Sequence, residues 1–283
     1  MNRHTIFRVV WWTCNLLLAA SLVASAWCGV WEYSVRQYLD GFSDAIVADS
    51  ATPQQKAEAI LDWMRVGPPR MIAPRVAELS SRDPEDTLNY QQLLQVCGTA
   101  TNAFLNLARS TGVQARRLLL LTPARTAKHV VAEINVNGRW VIVDATYRTF
   151  LRDAKGNLLT RQDLQNPQIF AEATALIPHY VQEYSYENLA HVRVAALPFH
   201  GMHIREMLDW ILPGWDESLE WGLLLERRSF TCLFLAVVSF FFLLALRGAL
   251  AWWADHRLMA PRFHLRANLI RATTAFFTTP EIK

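Results

Sequence analysis

No charged residue stands between Arg8 and Glu32, and none between Arg228 and Arg247. A helix needs about 20 apolar residues to cross a hydrocarbon core. The first run, VVWWTCNLLLAASLVASAWCGVW, meets that length, and the second, SFTCLFLAVVSFFFLLAL, meets it once GALAWWA beyond Arg247 is included. Trp11, Trp12, Trp27, Trp31, Trp252 and Trp253 lie at or near the ends, where amphipathic rings favour the water boundary. Of the 283 residues, 52% are hydrophobic and 19% charged. That excess excludes a disordered or collagen-like chain. With only 4 cysteines, a disulfide-stapled miniprotein is excluded as well.

The expected order is a cytoplasmic N-terminus at 1–8, a span at 9–31, an extracytoplasmic domain at 32–198 with its core at 52–166, an amphipathic juxtamembrane segment at 199–228, a second span at 229–254 and a basic tail at 255–283. Arg3 and Arg8 precede the first span; Arg257, Arg262, Arg266 and Arg271 follow the second. The positive-inside rule therefore puts both termini in the cytoplasm and the domain across the cytoplasmic membrane, on its periplasmic side. Arg227 and Arg228 oppose this, but Glu217, Glu220 and Glu226 precede them. Ala24-Ser25-Ala26 has the form of a signal-peptidase site, so cleavage is an alternative. An uncleaved anchor is the favoured reading, because apolar residues continue to Trp31. Arg247 is expected to snorkel to the interface. The net charge of +3 comes with no basic, aromatic-interleaved stripe, so no nucleic-acid partner is expected. The lipid bilayer is the partner the spans imply.

Within the domain, TPQQKAEAILDWMR has a capping threonine, a proline at the first helical position and a glutamine three residues after the cap. It predicts a helix with Ala57, Ile60, Leu61 and Met64 facing inward. GPPRMIAP stops it, and Arg82 to Asp86 reads as a turn. Ala100, Ala103, Phe104, Leu107 and Ala108 recur at helical spacing up to a stop at Gly112. Then come three strands, ARRLLLLT, HVVAEINV and RWVIVDAT, the last two joined by Asn137-Gly138, the strongest short hairpin signal. Pairing Val136 with Arg139 puts Val130, Ala132, Ile134, Val141, Val143 and Ala145 on a core face. His129, Val131, Glu133, Trp140, Ile142 and Asp144 fall on the other, with His129 and Asp144 as diagonal neighbours. The stretch from Pro167 to Leu197 has little pattern. The Trp-rich stretch from Phe199 to Glu226 is expected along the bilayer surface or beneath the domain.

Cys14 and Cys232 fall in the spans and Cys28 at a membrane border, leaving Cys97 as the thiol well inside the domain. It begins a helix, where unpaired amides favour the thiolate. An imidazole can take its proton and return it to a leaving group, and a carboxylate can orient that ring. His129 and Asp144 supply both. Gly98, Gln91 and Gln92 are candidates to stabilise an oxyanion. Trp140 and Glu133 are substrate-cleft candidates, each with an ordinary alternative: hairpin packing for Trp140 and a solvated strand position for Glu133. His200 and His203 lack companions for a metal site.

At these residues the chain resembles the transglutaminase-like branch of the papain-like superfamily. Cys97 heads a helix ending in STGVQAR, and HVVAEINVNGRWVIVDAT looks like the family's His-strand, hairpin and Asp-strand, over Leu93 to Thr146. Gln95, Val131 and Ala145 depart from the glycine, aromatic and proline frequent in the family. The resemblance implies an α+β fold, a cysteine helix packed on an antiparallel sheet, here flanked by two transmembrane helices. It also implies cysteine-dependent amide hydrolysis, protease-like, or acyl transfer, transglutaminase-like, through a Cys-His-Asp triad acting on a protein or peptide amide. Such chemistry requires no cofactor and no metal. The alternative is a non-catalytic, membrane-tethered binding module serving envelope or exopolysaccharide assembly partners.

Overall fold

The capping box written into the sequence at Thr52 forms as expected in the computed structural model, which describes residues 3–49, 51–66, 84–89, 94, 96–124, 126–192, 204–215 and 227–258. The Gln55 amide donates to Thr52 Oγ1 at 3.3 Å and the Thr52 amide to Gln55 Oε1 at 2.9 Å. This starts helix α2 (Pro53–Arg65), whose buried residues are Ala57, Ile60, Leu61 and Met64. Helix α3 (Pro84–Asn89) occupies part of the stretch read as a turn, since Pro84 has the fixed φ that opens a helix. Helix α4 (Cys97–Ser110) is the centre of the domain, buried from Thr99 to Ala108. It ends at Gly112, whose φ of +79° favours a residue without Cβ.

Strands β1 (Ala115–Leu121), β2 (Ala127–Val136), β3 (Arg139–Asp144), β4 (Thr149–Phe150) and β5 (Leu189–Ala190) form one antiparallel sheet. Their order is β4-β3-β2-β1-β5. The hairpin register is the expected one: Val136 pairs with Arg139, Ile134 with Val141 and Ala132 with Val143. Asn137 and Gly138 adopt φ of +53° and +84°, the pair of positive values that a type I′ turn needs.

Ala132, Ile134, Val141, Val143 and Ala145 bury one face of the sheet against α2 and α4. The opposite face is covered too, by chain downstream of β4. Leu118, Leu120, Val131 and Ile142 pack there against Leu164, Phe170, Tyr180 and Tyr186. That cover contains helix α5 (Pro167–Thr174), capped by the Asn166 side chain, and it fills much of the stretch whose sequence pattern is weak.

Helix α1 (Arg3–Ile46) does not end with its apolar run. Val35, Leu39, Ser43 and Val47, spaced by four, continue a buried stripe into the domain core. Ser43 Oγ lies 2.6 Å from Ser110 Oγ, and Ser110 donates to Asp40 at 2.9 Å, holding this end of α1 to the end of α4. Helix α6 (Ile204–Ile211) has Met207, Trp210 and Ile211 exposed on one side. Helix α7 (Arg228–Trp253) follows, continued by a π-helical turn at Ala254–Leu258.

The chain divides into two compact units, Gly29–Cys232 and a second built from the described residues of 1–28 and 233–283. Two helices, Arg3–Ile46 and Arg228–Leu258, are long and apolar enough to cross a membrane. Within the second unit, Arg247 contacts the first apolar run. Its Nε donates to Asn15 Oδ1 at 2.9 Å and its guanidinium lies 5.1 Å from the Trp11 ring centroid, so a half-buried polar partner and a π-face satisfy the cation in place.

Candidate functional site

Three elements converge at the sequence-predicted residues. Cys97 is the first residue of α4, and the cap residue Val96 has no side chain able to accept from the first-turn amides. The positive end of the helix dipole therefore lies at Cys97. One turn on, Thr101 Oγ1 donates to the carbonyl of Val130 at 3.0 Å, fastening α4 beside the residue that follows His129. Gly98 lies in the same first turn, with open space where a Cβ would project. Gln91 and Gln92 lie outside the described residues, as do His200 and His203.

His129 near the start of β2 and Asp144 at the end of β3 meet as the hairpin register requires. Nε2 of His129 and Oδ2 of Asp144 are 2.8 Å apart, and neither residue has exposed surface. The second oxygen, Oδ1, accepts from the backbone amides of Thr146 at 3.1 Å and Tyr147 at 3.3 Å. With Nε2 committed to the carboxylate, Nδ1 has no hydrogen bond of ordinary geometry among the described residues. Burial acts to lower the imidazole pKa, but the charge and hydrogen bond of Asp144, reinforced by the interaction with Cys97, raise it to about 9. Burial likewise acts to raise the carboxyl of Asp144. The His129 charge and hydrogen bond, the Tyr147 amide and the Tyr180 hydroxyl outweigh it and hold Asp144 below the usual range. The geometry favours an imidazolium–carboxylate pair adjoining a partly exposed thiol.

Residues 40–145 match the model of the transglutaminase-like superfamily. This stretch of the chain is transglutaminase-like. The match begins in the domain-embedded end of α1 and closes one residue after Asp144, so it takes in Cys97, His129 and Asp144. The superfamily is of the cysteine-dependent hydrolase and acyltransferase type. No curated protein and no solved structure matched the chain.

Of the two cleft candidates, Glu133 lies on β2 and Trp140 on β3. Glu133 is not a solvated strand residue: it has no exposed surface, and Arg116 Nε donates to its Oε2 at 2.7 Å. His191 approaches the same oxygen at 3.9 Å. The cause is the cover over this sheet face, which leaves an inward carboxylate no water and makes an arginine partner necessary. Trp140 pairs with Asn135 near the hairpin turn, four residues or about 13 Å along the strand from Asp144. The Arg116 guanidinium lies 4.1 Å from its ring centroid, so Trp140 and Glu133 belong to one packed cluster around Arg116.

Sequence reasoning missed the tyrosines around the pair. Tyr184 stacks on His129 with ring centroids 4.3 Å apart and planes 1° from parallel. Tyr180 donates its hydroxyl to Asp144 Oδ2 at 3.0 Å. The crowding of Tyr180, Tyr184 and Tyr186 in HYVQEYSYEN was the available signal, and nothing in its periodicity connected it to the hairpin.

Proposed function

We propose that this protein is a membrane-anchored cysteine amidohydrolase or acyltransferase, with Cys97 as nucleophile, His129 as general base and acid, and Asp144 as the residue that orients the imidazole. The observation that carries the reading is the fully buried His129–Asp144 pair beside a thiol at the start of α4. A thiolate beside an imidazolium is stabilised by charge and by the helix dipole together.

In the first half-reaction the Cys97 sulfur attacks the amide carbonyl carbon, forming a C–S bond and a tetrahedral oxyanion. First-turn amides at Cys97 and Gly98 are suited to stabilise that oxygen. Collapse breaks the C–N bond, and His129 gives its proton to the departing amine. Water or a second amine then attacks the thioester while His129 takes its proton, releasing an acid or a new amide and restoring the thiol. Peptide or protein amides are the substrate class.

The two long apolar helices, with basic residues at the outer end of each, support a cytoplasmic-membrane anchor with both termini inside and the domain in the periplasm.

The test is alkylation of the full chain in detergent by iodoacetamide, with labelling of the Cys97 peptide quantified by mass spectrometry across pH. A rate that stays high well below an ordinary thiol pKa of about 8.5, and that His129→Ala abolishes, is the expected result. Slow labelling that follows an ordinary thiol would sink the enzyme reading and favour a binding module. For the anchor, a membrane-impermeant protease added to intact spheroplasts should cleave within the domain and spare both tails.

A further inference from the structure

The matched core ends at residue 145, yet two of the closest contacts to the His129–Asp144 pair come from beyond it. We propose that residues 179–186 form a tyrosine strap that positions the pair, with Tyr184 fixing the plane of the His129 ring and Tyr180 fixing Asp144. The proposal deepens the enzyme reading above, and its test does not depend on turnover.

Tyr180 and His129 both place a donor on Oδ2 of Asp144, at 3.0 and 2.8 Å. With the two amides on Oδ1, the carboxylate has four donors and a single orientation. Burial and the charge of Asp144 push the Tyr180 hydroxyl well above its ordinary pKa, so it remains a donor. Tyr184 covers one face of the imidazole at 4.3 Å. Turning the ring about its Cβ–Cγ bond would drive an edge inside the roughly 3.5–4.0 Å contact distance of carbon atoms. The flip that would put Cδ2 in place of Nδ1 and Cε1 in place of Nε2 is therefore blocked, and the ring edge facing Cys97 is set. A π-face on the ring also favours its charged form.

The strap is itself riveted to the core. The Tyr147 hydroxyl donates to the His179 carbonyl at 3.1 Å and accepts from the Val181 amide at 3.2 Å. His179 takes a φ of +57°, an uncommon conformation for a non-glycine residue, at the point where the chain turns to bring Tyr180 inward. Tyr180 in turn lies edge-on to Tyr184, with centroids 5.8 Å apart. A cover serving only to bury apolar surface has no need of a hydroxyl aimed at Asp144 or a ring parallel to His129.

The experiment is nitrogen NMR of the full chain, labelled at histidine and held in detergent, with His129 assigned by loss of its signals in His129→Asn. The expected result is that Tyr184→Leu lowers the His129 titration midpoint and speeds water exchange of its Nε2 proton, while Tyr184→Phe, which keeps the stack, leaves both near wild type. Tyr180→Phe, which deletes only a hydroxyl, should speed that exchange about tenfold, as loss of a hydrogen bond to a charged group worth about 1.5 kcal/mol implies. Equal behaviour of Tyr184→Leu and Tyr184→Phe overturns the role of Tyr184. Should Tyr184→Leu fail to fold, Tyr180→Phe decides, and wild-type exchange in it overturns the strap. Altered His129 signals in a chain whose Cys97 labels like an ordinary thiol uphold the strap and remove the enzyme reading; reactive Cys97 with unaltered signals does the reverse.

Discussion

Nε2 of His129 lies 2.8 Å from Oδ2 of Asp144, and both side chains are shut off from water. Stability should follow the protonation of this pair. The imidazole is raised from 6.5 to about 9 by folding, so its contribution is complete below pH 6.5 and disappears as pH climbs to about 9. The difference corresponds to something on the order of 3 kcal/mol. Asp144 is lowered from 3.8, so its contribution is present above that value and is lost as pH falls through its folded pKa. Urea unfolding between pH 6 and 10 should show a decline in wild type that His129→Asn lacks; parallel curves would contradict the assignment.

Breaking the buried ion pair of Glu133 and Arg116 should be costly. Glu133→Leu leaves Arg116, only 18% exposed at its side chain, without its carboxylate. The expected loss is about 3 kcal/mol. Adding Arg116→Met to Glu133→Leu should recover much of that by removing the uncompensated charge. Chemical denaturation of both variants measures the difference, and an additive double mutant would contradict the coupling.

Gly138 sits at φ +84° in the two-residue turn that sets the β2–β3 register. Open space surrounds its missing Cβ, so Gly138→Ala should cost only the backbone strain, about 1 kcal/mol. The His129 signals in NMR should stay in place, because cross-strand packing on both faces also holds the register. A loss of several kcal/mol would show that the turn carries more of the pairing than that.

Thr52→Ala removes the acceptor for the Gln55 amide and half of the capping box of α2. About 1 kcal/mol of stability should go with it, read from the thermal midpoint. Iodoacetamide labelling of Cys97 should be unaffected, since Lys56 in the first turn of α2 donates to the Thr111 carbonyl, at the end of α4 away from Cys97.

How much of this was readable in advance follows the range of the forces. The α2 cap, the stop at Gly112 and the Asn137-Gly138 turn depend on residues within four positions of one another, and each formed as its local chemistry required. The hairpin carried that local certainty outward: once Val136 faced Arg139, period-two alternation put His129 and Asp144 on one face. Glu133 was misread because alternation assigns a face without saying what covers it. The cover is Leu164, Phe170, Tyr180 and Tyr186, more than thirty positions downstream in a stretch with no strong period. The same distance concealed the end of α1, where the charged residues after Trp31 mask a buried stripe at Val35, Leu39 and Val47.

By itself the sequence determined the two apolar helices, the α+β order, the hairpin register and the meeting of His129 with Asp144, because hydropathy, capping and turn conformation are written in adjacent residues. Only the tertiary structure decided which sheet face is sealed, that Glu133 is locked to Arg116, and that Tyr180 and Tyr184 close over the His129–Asp144 pair. Those outcomes rest on burial and on hydrogen-bond satisfaction between distant segments, and a side chain's burial is a property of the neighbours that the fold brings to it.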